Sequence, residues 1–262
     1  MRKLLTILFV FTALPLVLHA QKKDSIETQP DWQFRVGPYY WFIGIDASLE
    51  RPPVPTTLPE VEPRFELSIP YSEVQNALKF AFLINTDYHN NRWLGVLNAT
   101  SFILEGDAIT PKEIVLRNSN YRLAMAFGEA LAGYEVVSKR KFKLQGYVGA
   151  KIIYNKIEAR ATYGVKEEFH GEREGFWVEP VLAMRAKYLP HSRIECAAYV
   201  DYGPLRSEAE LTNQFTVNVN VLLNKWLYVS PGYRYWLFRV NKDQAIFNGQ
   251  MYGFYVRIGG QF

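Results

Sequence analysis

The chain has 262 residues, of which 48% are hydrophobic and 15% aromatic, and its formal net charge is +4. So small a charge excess gives no basic surface of the kind that nucleic-acid binding requires, and we expect no nucleic-acid partner. The single cysteine, Cys196, excludes an internal disulfide.

Residues 1–20 have the order of a secretory signal peptide. A basic start, Met1 to Lys3, precedes an apolar run from Leu4 to Leu18, and a small residue, Ala20, precedes Gln21. This succession of charged, apolar and cleavable segments is typical of signal peptides, and the run is shorter than the roughly 20 residues of a membrane-spanning helix. We predict cleavage after Ala20 and export through the inner membrane.

The remainder divides into a short linker and one β domain. We predict a periplasmic N-terminal linker over residues 21–31 and a barrel domain over residues 32–262. Within this domain, apolar and polar residues alternate over segments of strand length; from Phe215 to Val221, for example, Phe and Val alternate with Thr and Asn. Because successive side chains of a strand point to opposite faces, each such strand has one apolar face and one polar face.

The alternation predicts ten membrane crossings. They lie at about residues 33–48, 76–88, 92–104, 120–137, 142–160, 175–189, 193–203, 209–223, 226–240 and 249–262. Ten is an even number, as a closed single-chain bacterial barrel requires. The sequence therefore predicts an all-β fold, a closed antiparallel up-and-down transmembrane β-barrel, with eight or twelve strands as the open alternatives.

The lengths of the connections predict the orientation of the barrel. Short connections lie at 89–91, 138–141, 190–192 and 224–225, and longer ones at 50–75, 106–119, 163–174, 203–208 and 241–248. Outer-membrane barrels keep short turns in the periplasm and long loops outside.

One segment of the first long connection leaves the strand count open. The residues from Arg64 to Tyr71 also alternate, and they precede a possible helix from Ser72 to Ala77. We place both in the first outer loop. If the segment crosses instead, a strand near Glu113 to Arg117 would bring the total to twelve.

The final strand, from Met251 to Phe262, carries the strongest signal. Every second residue back from Phe262 is apolar or Gly. This ending resembles the last strand of bacterial outer-membrane β-barrels, although Gly260 stands where that group usually has Tyr. The resemblance implies that Phe262, with Phe254 and Tyr252, forms an assembly signal. It also implies that the partners are periplasmic chaperones, the barrel-assembly machinery and outer-membrane lipid.

Six further motifs occur in an order that is known from one group of proteins. They are Gly37-Pro38-Tyr39-Tyr40-Trp41, the segment Phe65 to Leu78, Arg92-Trp93, Ala132-Gly133-Tyr134, Trp177-Val178-Glu179-Pro180 and Gly232-Tyr233-Arg234-Tyr235. In this order they resemble a poorly characterised family of Gram-negative bacterial outer-membrane β-barrel proteins. The resemblance spans nearly the whole chain after the signal peptide. It implies a fold and an outer-membrane location, but no known reaction.

The polar faces of the strands predict a charged lumen. The charged residues on these faces are Arg35, Lys79, Asp87, Glu129, Lys143, Lys151, Glu179, Arg185, Lys187, Arg193, Glu195, Asp201, Arg234 and Arg257. Barrels of about eight strands are filled by their own side chains, whereas sixteen or more strands leave a channel, so ten strands predict a largely filled lumen. We therefore predict a non-enzymatic role, either as a structural scaffold or in the narrow passage or binding of a small solute.

The alternative is an enzyme that acts on lipid or peptide at the extracellular rim. Such an enzyme needs a histidine beside a nucleophile or a carboxylate. His89 and His191 fall in predicted periplasmic turns, which leaves only His170, in a charge-rich outer loop. The chain has no GxSxG, HExxH, paired-cysteine or phosphate-loop pattern. We expect no catalytic residue, no metal and no cofactor.

Overall fold

The computed structural model describes residues 32–50, 64–107, 116–163, 167–203, 210–242 and 245–262. The strands are β1 (Trp32–Trp41), β2 (Gly44–Glu50), β3 (Arg64–Ile69), β4 (Leu78–Asn90), β5 (Trp93–Asp107), β6 (Leu116–Lys139), β7 (Phe142–Tyr163), β8 (Glu167–His191), β9 (Ile194–Gly203), β10 (Glu210–Leu222), β11 (Leu227–Lys242) and β12 (Ala245–Gln261), and a short helix, α1, spans Tyr71–Ala77. No helix in the described part of the chain is long and apolar enough to span a membrane. The predicted signal peptide and linker lie outside the described residues and stay predictions.

Ten of these strands form a closed barrel. The order around the wall is β1 followed by β4 to β12 in sequence, and β12 pairs with β1. The predicted all-β fold, a closed antiparallel barrel of ten strands, is confirmed. The shear of the barrel follows from the pairing register. Starting at Phe34 and stepping from each residue to its partner on the next strand, one returns to the first crossing at Asp46, 12 residues further along the chain. With ten strands, this stagger tilts the strands by about 40° from the barrel axis.

The first predicted crossing consists of two strands. β1 pairs with the second half of β12 and β2 with its first half, on either side of Phe42 and Ile43. Gly253 of β12 lies opposite this break with a φ of +152°, and a Cβ there would collide with the Phe42 carbonyl oxygen. The Trp41 indole nitrogen donates to the Gly253 carbonyl oxygen at 3.3 Å. The break therefore requires glycine at this position.

β2 and β3 form a hairpin that joins the wall only through β2. β3 pairs with β2 and with no other described strand. As predicted, the segment from Arg64 to Tyr71 is not a crossing of the wall. α1 follows the hairpin and leads directly into β4, with Val74 and Ala77 as its buried residues.

The strands β6, β7 and β8 are longer than the sequence analysis predicted. β7 pairs with β8 as far as Tyr163 and Glu167, so the loop predicted at 163–174 was wrong in extent. Residues 116–119, predicted as part of a long loop, likewise belong to β6. Strand pairing needs only main-chain groups, and a strand that extends beyond an apolar environment has no need of an apolar face. A charge-rich composition therefore does not indicate a loop here.

The outward face of the barrel is apolar. Its exposed large hydrophobic residues include Leu97, Val136, Val148, Ile152, Val178, Leu182, Met184, Val200, Val217, Val256 and Ile258. At the end with the short turns, exposed rings surround the barrel, among them Trp32, Trp93, Tyr134, Tyr188 and Trp226. An apolar belt bordered by Trp and Tyr is typical of barrels that face lipid.

Candidate functional site in the barrel interior

The interior of the barrel has an apolar layer at the end with the long connections. There, buried side chains of the wall meet those of α1 and the β2–β3 hairpin. We call this layer the apolar plug; it includes Trp41, Ile43, Ile45, Ile69, Val74, Ala77, Leu83, Phe102, Leu104, Leu123, Met125, Phe127, Ile153, Trp236, Phe238 and Met251. Ile69, Val74 and Ala77, from the first predicted outer loop, thus pack against the interior, whereas Ser72, Glu73, Gln75 and Asn76 of α1 are exposed.

The apolar plug connects opposite sides of the wall. Phe127 lies on β6 and Trp236 on β11, five strands apart in either direction around the ten-stranded wall. Their ring centroids are nevertheless only 4.2 Å apart. Two diametrically opposite strands therefore touch through their side chains.

A cavity that we call the polar chamber lies between the plug and the short turns. It holds about 610 Å³ of space not filled by protein atoms, including its open side. Its charged lining residues are Arg35, Asp87, Glu129, Arg185, Lys187, Glu195, Arg234 and Arg257. Side-chain exposure falls from 18% at Asp87 to 2% at Lys151 and 0% at Asp201, which lie further from the short turns. The chamber therefore opens toward the short turns.

Asp87 of β4 holds two arginines from other strands. The Nη1 atom of Arg185, on β8, lies 2.7 Å from Asp87 Oδ1, and that of Arg257, on β12, lies 3.2 Å from Oδ2. Because β4 and β8 are four strands apart around the wall, the pair of Asp87 and Arg185 crosses the lumen. Arg257 also donates to Asn85 and, at 3.4 Å, to Asn220.

Glu195 of β9 is the second carboxylate of the chamber that binds several donors. Arg35 and Lys187 each place a nitrogen 3.2 Å from Glu195 Oε1, and the Asn220 amide donates to the same oxygen at 2.7 Å. Arg35 also donates from Nε to Gln261 at 2.8 Å. Several donors around one carboxylate offset the cost of removing its charge from water.

Further from the short turns, Lys151 and Asp201 form a pair at 2.9 Å. Lys151 Nζ also lies 5.2 Å from the centroid of the Trp236 ring, so this pair connects the polar chamber to the plug. The other two deep carboxylates accept hydrogen bonds from hydroxyl groups, Glu129 from Tyr199 at 2.7 Å and Glu179 from Thr212 at 2.6 Å.

Arg234 has a different environment, at the boundary between the chamber and the plug. Its guanidinium carbon lies 4.9 Å, 5.3 Å and 5.5 Å from the ring centroids of Tyr39, Trp41 and Tyr255. Nη1 donates to the Tyr39 hydroxyl at 2.8 Å, and Nε has no hydrogen-bond partner among the described residues. No carboxylate of the described residues forms an ion pair with it. Arg234 is thus held by an aromatic cage.

The structure places the predicted lumen residues in four positions. Arg35, Asp87, Arg185, Glu195 and Arg257 meet near the mouth of the chamber, Glu129, Lys151, Glu179 and Asp201 lie deeper, and Arg234 stands in the aromatic cage. Lys79 lies apart from all of them. It is exposed and sits at a register shift between β4 and β5, where the alternation of faces is interrupted.

Two sets of interior residues were not predicted from the sequence. Tyr39 and Trp41 follow Arg35 at even spacing on the same face of β1, so their parity could have placed them inside. Glu135 was also missed; it is buried, accepts a hydrogen bond from Gln145 and lies 3.6 Å from Lys143. Aromatic residues are expected at lipid interfaces as well as in cores, which makes composition a poor guide to their face.

The predicted assembly residues lie on the outer side of β12. Phe254 and Phe262 are exposed, and Tyr252 is half-buried. Their recognition by an assembly machinery stays a prediction.

Neither His89 nor His191 lines the polar chamber. His89 is 3.8 Å from Glu135 at the short-turn end of β4, and His191 Nδ1 accepts from the Arg193 backbone N–H at 3.3 Å. His170 belongs to β8, where its backbone pairs with Arg160, and its side chain lies outside the described residues. Within the described ranges, no three His, Cys, Asp or Glu side chains are grouped so that they could hold a metal ion.

Comparison with known proteins shows the fold of this chain. No protein-family model matches it, and neither does any curated protein. Among solved structures it is similar to the outer membrane protease OmpT from Escherichia coli, at a TM-score of 0.55 and 7% identity, over 91% of this chain and 99% of that chain. This similarity shows the fold of an outer-membrane β-barrel. The family resemblance based on the six motifs stays a prediction.

Two further solved structures are similar at lower scores. The translocator domain of the autotransporter NalP from Neisseria meningitidis has a TM-score of 0.42 and 9% identity, over 96% of this chain and 93% of that chain. The attachment invasion locus protein Ail of Yersinia pestis has a TM-score of 0.35 and 9% identity, over 88% of this chain and 97% of that chain.

Proposed function

We propose that the chain is an integral outer-membrane β-barrel protein without enzymatic activity, whose lumen is closed to flow and contains a chamber for a small solute. The apolar outer belt supports membrane insertion, because in water this face would be a large exposed hydrophobic surface. With the short turns in the periplasm, the polar chamber opens to the periplasm.

The contact between Phe127 and Trp236 is the observation that best supports a closed lumen. The rings extend from opposite strands and meet at 4.2 Å between centroids, and α1 adds Val74 and Ala77 to the same layer. An apolar layer that spans the lumen leaves no hydrated path for ions. The polar chamber is therefore a pocket with one entrance and not a segment of a pore.

Planar-bilayer conductance of the refolded protein tests this proposal. We expect no channel steps, with insertion verified independently by heat-modifiable migration on gels. A variant in which a short Gly-Ser linker replaces residues 51–77, combined with Phe127→Ala and Trp236→Ala, removes β3, α1 and both rings and should conduct. Steady single-channel steps from the unaltered protein would contradict the closed lumen.

Export and assembly are part of the same proposal. A signal peptide over residues 1–20 directs the chain through the inner membrane, and Phe262, Phe254 and Tyr252 present the last strand to periplasmic chaperones and to the barrel-assembly machinery. N-terminal sequencing of the protein from an outer-membrane fraction should start at Gln21. A processed chain that is monomeric in water without detergent would contradict the membrane location.

A further inference from the structure

We propose that the polar chamber binds an oxyanion, a carboxylate or a phosphate group of a small soluble molecule, through Arg234 and Arg257. This inference rests on the proposed function for access, since the chamber must open to the periplasm. It goes beyond that function by naming the chemical class of the solute and the side chains that hold it.

The charges around the chamber leave a positive excess. Five of its lining residues are Arg or Lys, namely Arg35, Arg185, Lys187, Arg234 and Arg257, and three are acidic, namely Asp87, Glu129 and Glu195. Two of the acids each form salt bridges with two basic residues: Asp87 with Arg185 and Arg257, and Glu195 with Arg35 and Lys187. The third, Glu129, accepts from the Tyr199 hydroxyl. Each carboxylate of the chamber thus accepts from another side chain. Glu129 acts on Arg234 through space, but none of the described carboxylates lies at ion-pair distance from it.

Arg234 is buried with an unused hydrogen-bond donor, Nε. Only 5% of its surface is exposed, yet a guanidinium carries five N–H donors, and Tyr39 accepts from one nitrogen. The rings of the aromatic cage attract its positive charge but offer no oxygen acceptor for Nε. A buried charge without a hydrogen-bonded counter-ion is costly, and an anion in the chamber would supply such a counter-ion.

Arg257 offers a second unused donor on the neighbouring strand. Its Nε has no partner among the described residues, although its terminal nitrogens contact Asp87 and two asparagines. In the pairing of β11 with β12, Arg234 lies opposite Gly253 and Arg257 lies opposite Ser230. The position between Ser230 and Arg234 on β11 is Gly232, which has no side chain. The Tyr255 ring packs over Gly232, and Arg234, Tyr255 and Arg257 line the same chamber.

The chemistry of these groups selects the class of ligand. Guanidinium groups present parallel N–H donors that match the oxygens of carboxylates and phosphates. A cation would be repelled by the positive excess of the lining residues, and a neutral solute would supply no counter-ion to Arg234.

Isothermal titration of the detergent-solubilised barrel with inorganic phosphate and with succinate tests the inference, with chloride at matched ionic strength as the reference. We expect saturable binding of at least one of the two oxyanions. Comparing the two affinities then shows whether the chamber prefers phosphate or carboxylate. Arg234→Gln and Arg257→Gln should each weaken that binding at least tenfold. Arg122→Gln, at an exposed arginine outside the chamber, should leave it unchanged.

Two results would overturn the anion site. One is binding of neither oxyanion above the chloride reference by the unaltered protein, and the other is unchanged affinity in both chamber variants. Arg234→Lys keeps the positive charge but loses the parallel N–H donors of the guanidinium. It should disturb the fold less than Arg234→Gln and should also weaken anion binding. Conductance of the same preparations separates this inference from the proposed function. Channel steps with retained anion binding would refute only the closed lumen, and silence without anion binding would refute only the site.

Discussion

Phe34 and Phe262 exchange two backbone hydrogen bonds across the seam of the barrel. Phe34 N–H donates to the Phe262 carbonyl oxygen at 2.9 Å, and Phe262 N–H donates to the Phe34 carbonyl oxygen at 2.8 Å. The backbone of Phe262 thus takes part in closing the wall, whereas its ring is exposed on the outer face. The two roles of this residue can be separated by substitution.

Phe262→Ala should lower the amount of assembled protein in cells several-fold and leave refolding into lipid vesicles almost unchanged. The substitution keeps both hydrogen bonds to Phe34 and removes only the ring that the assembly signal requires. Quantification of heat-modifiable protein in outer-membrane fractions and in vesicles measures the two effects. Phe215→Ala removes an exposed ring from another strand and serves as the control. Equal surface yields of the two variants would refute a recognition role for the Phe262 ring.

Asp87→Asn should destabilise the barrel by about 2–3 kcal/mol. The substitution leaves Arg185 and Arg257 without the carboxylate that holds them, and breaking a fully buried pair costs roughly 3–5 kcal/mol; Asp87 is 18% exposed, which lowers the expected cost. Glu105→Gln removes a carboxylate from an exposed pair with Arg122 and should cost under about 1 kcal/mol. Denaturant unfolding from lipid vesicles measures both free energies. Similar values would show that the network across the lumen contributes no more than a surface ion pair.

Gly253→Ala should destabilise the barrel by about 1–3 kcal/mol, because a side chain there is strained at positive φ and meets the Phe42 carbonyl oxygen. Gly146→Ala is a suitable control, since its Cβ would make only an ordinary contact with Val136 at 3.9 Å. The unfolding free energy of this control should change little. If Gly253→Ala unfolds like the control, the break between β1 and β2 does not depend on glycine.

Val217→Arg should cost about 2–4 kcal/mol if it lies near the middle of the bilayer, because it places a charge on the lipid-facing surface. The neighbouring Asn218→Arg points into the polar chamber and should be milder. Unfolding free energies in vesicles decide between them. A larger penalty at Asn218 would mean that the two faces of β10 are assigned the wrong way round.

The strands of the barrel wall could be predicted from local sequence patterns. A strand exposes successive side chains to opposite faces, so the alternation of Phe and Val with Thr and Asn in β10 indicates both the strand and its lipid-facing side without knowledge of any other strand. The same reasoning placed Arg185, Asp201 and Arg257 inside. It failed for Lys79, because the register shift beside that residue comes from the pairing of β4 with β5 and leaves no mark in the alternation.

The contents of the lumen were decided by the closed tertiary structure. Asp87 and Arg185 are 98 residues apart in the chain, and they meet because ten strands with a fixed stagger place them on facing parts of the wall. The contact of Phe127 with Trp236 and the packing of Val74 and Ala77 against the apolar plug have the same origin. Alternation says which side of a strand is inside, whereas the partner across the lumen depends on strand number, tilt and stagger together. The sequence by itself therefore determined a barrel with a charged interior, and only its closure determined an apolar plug above a polar chamber.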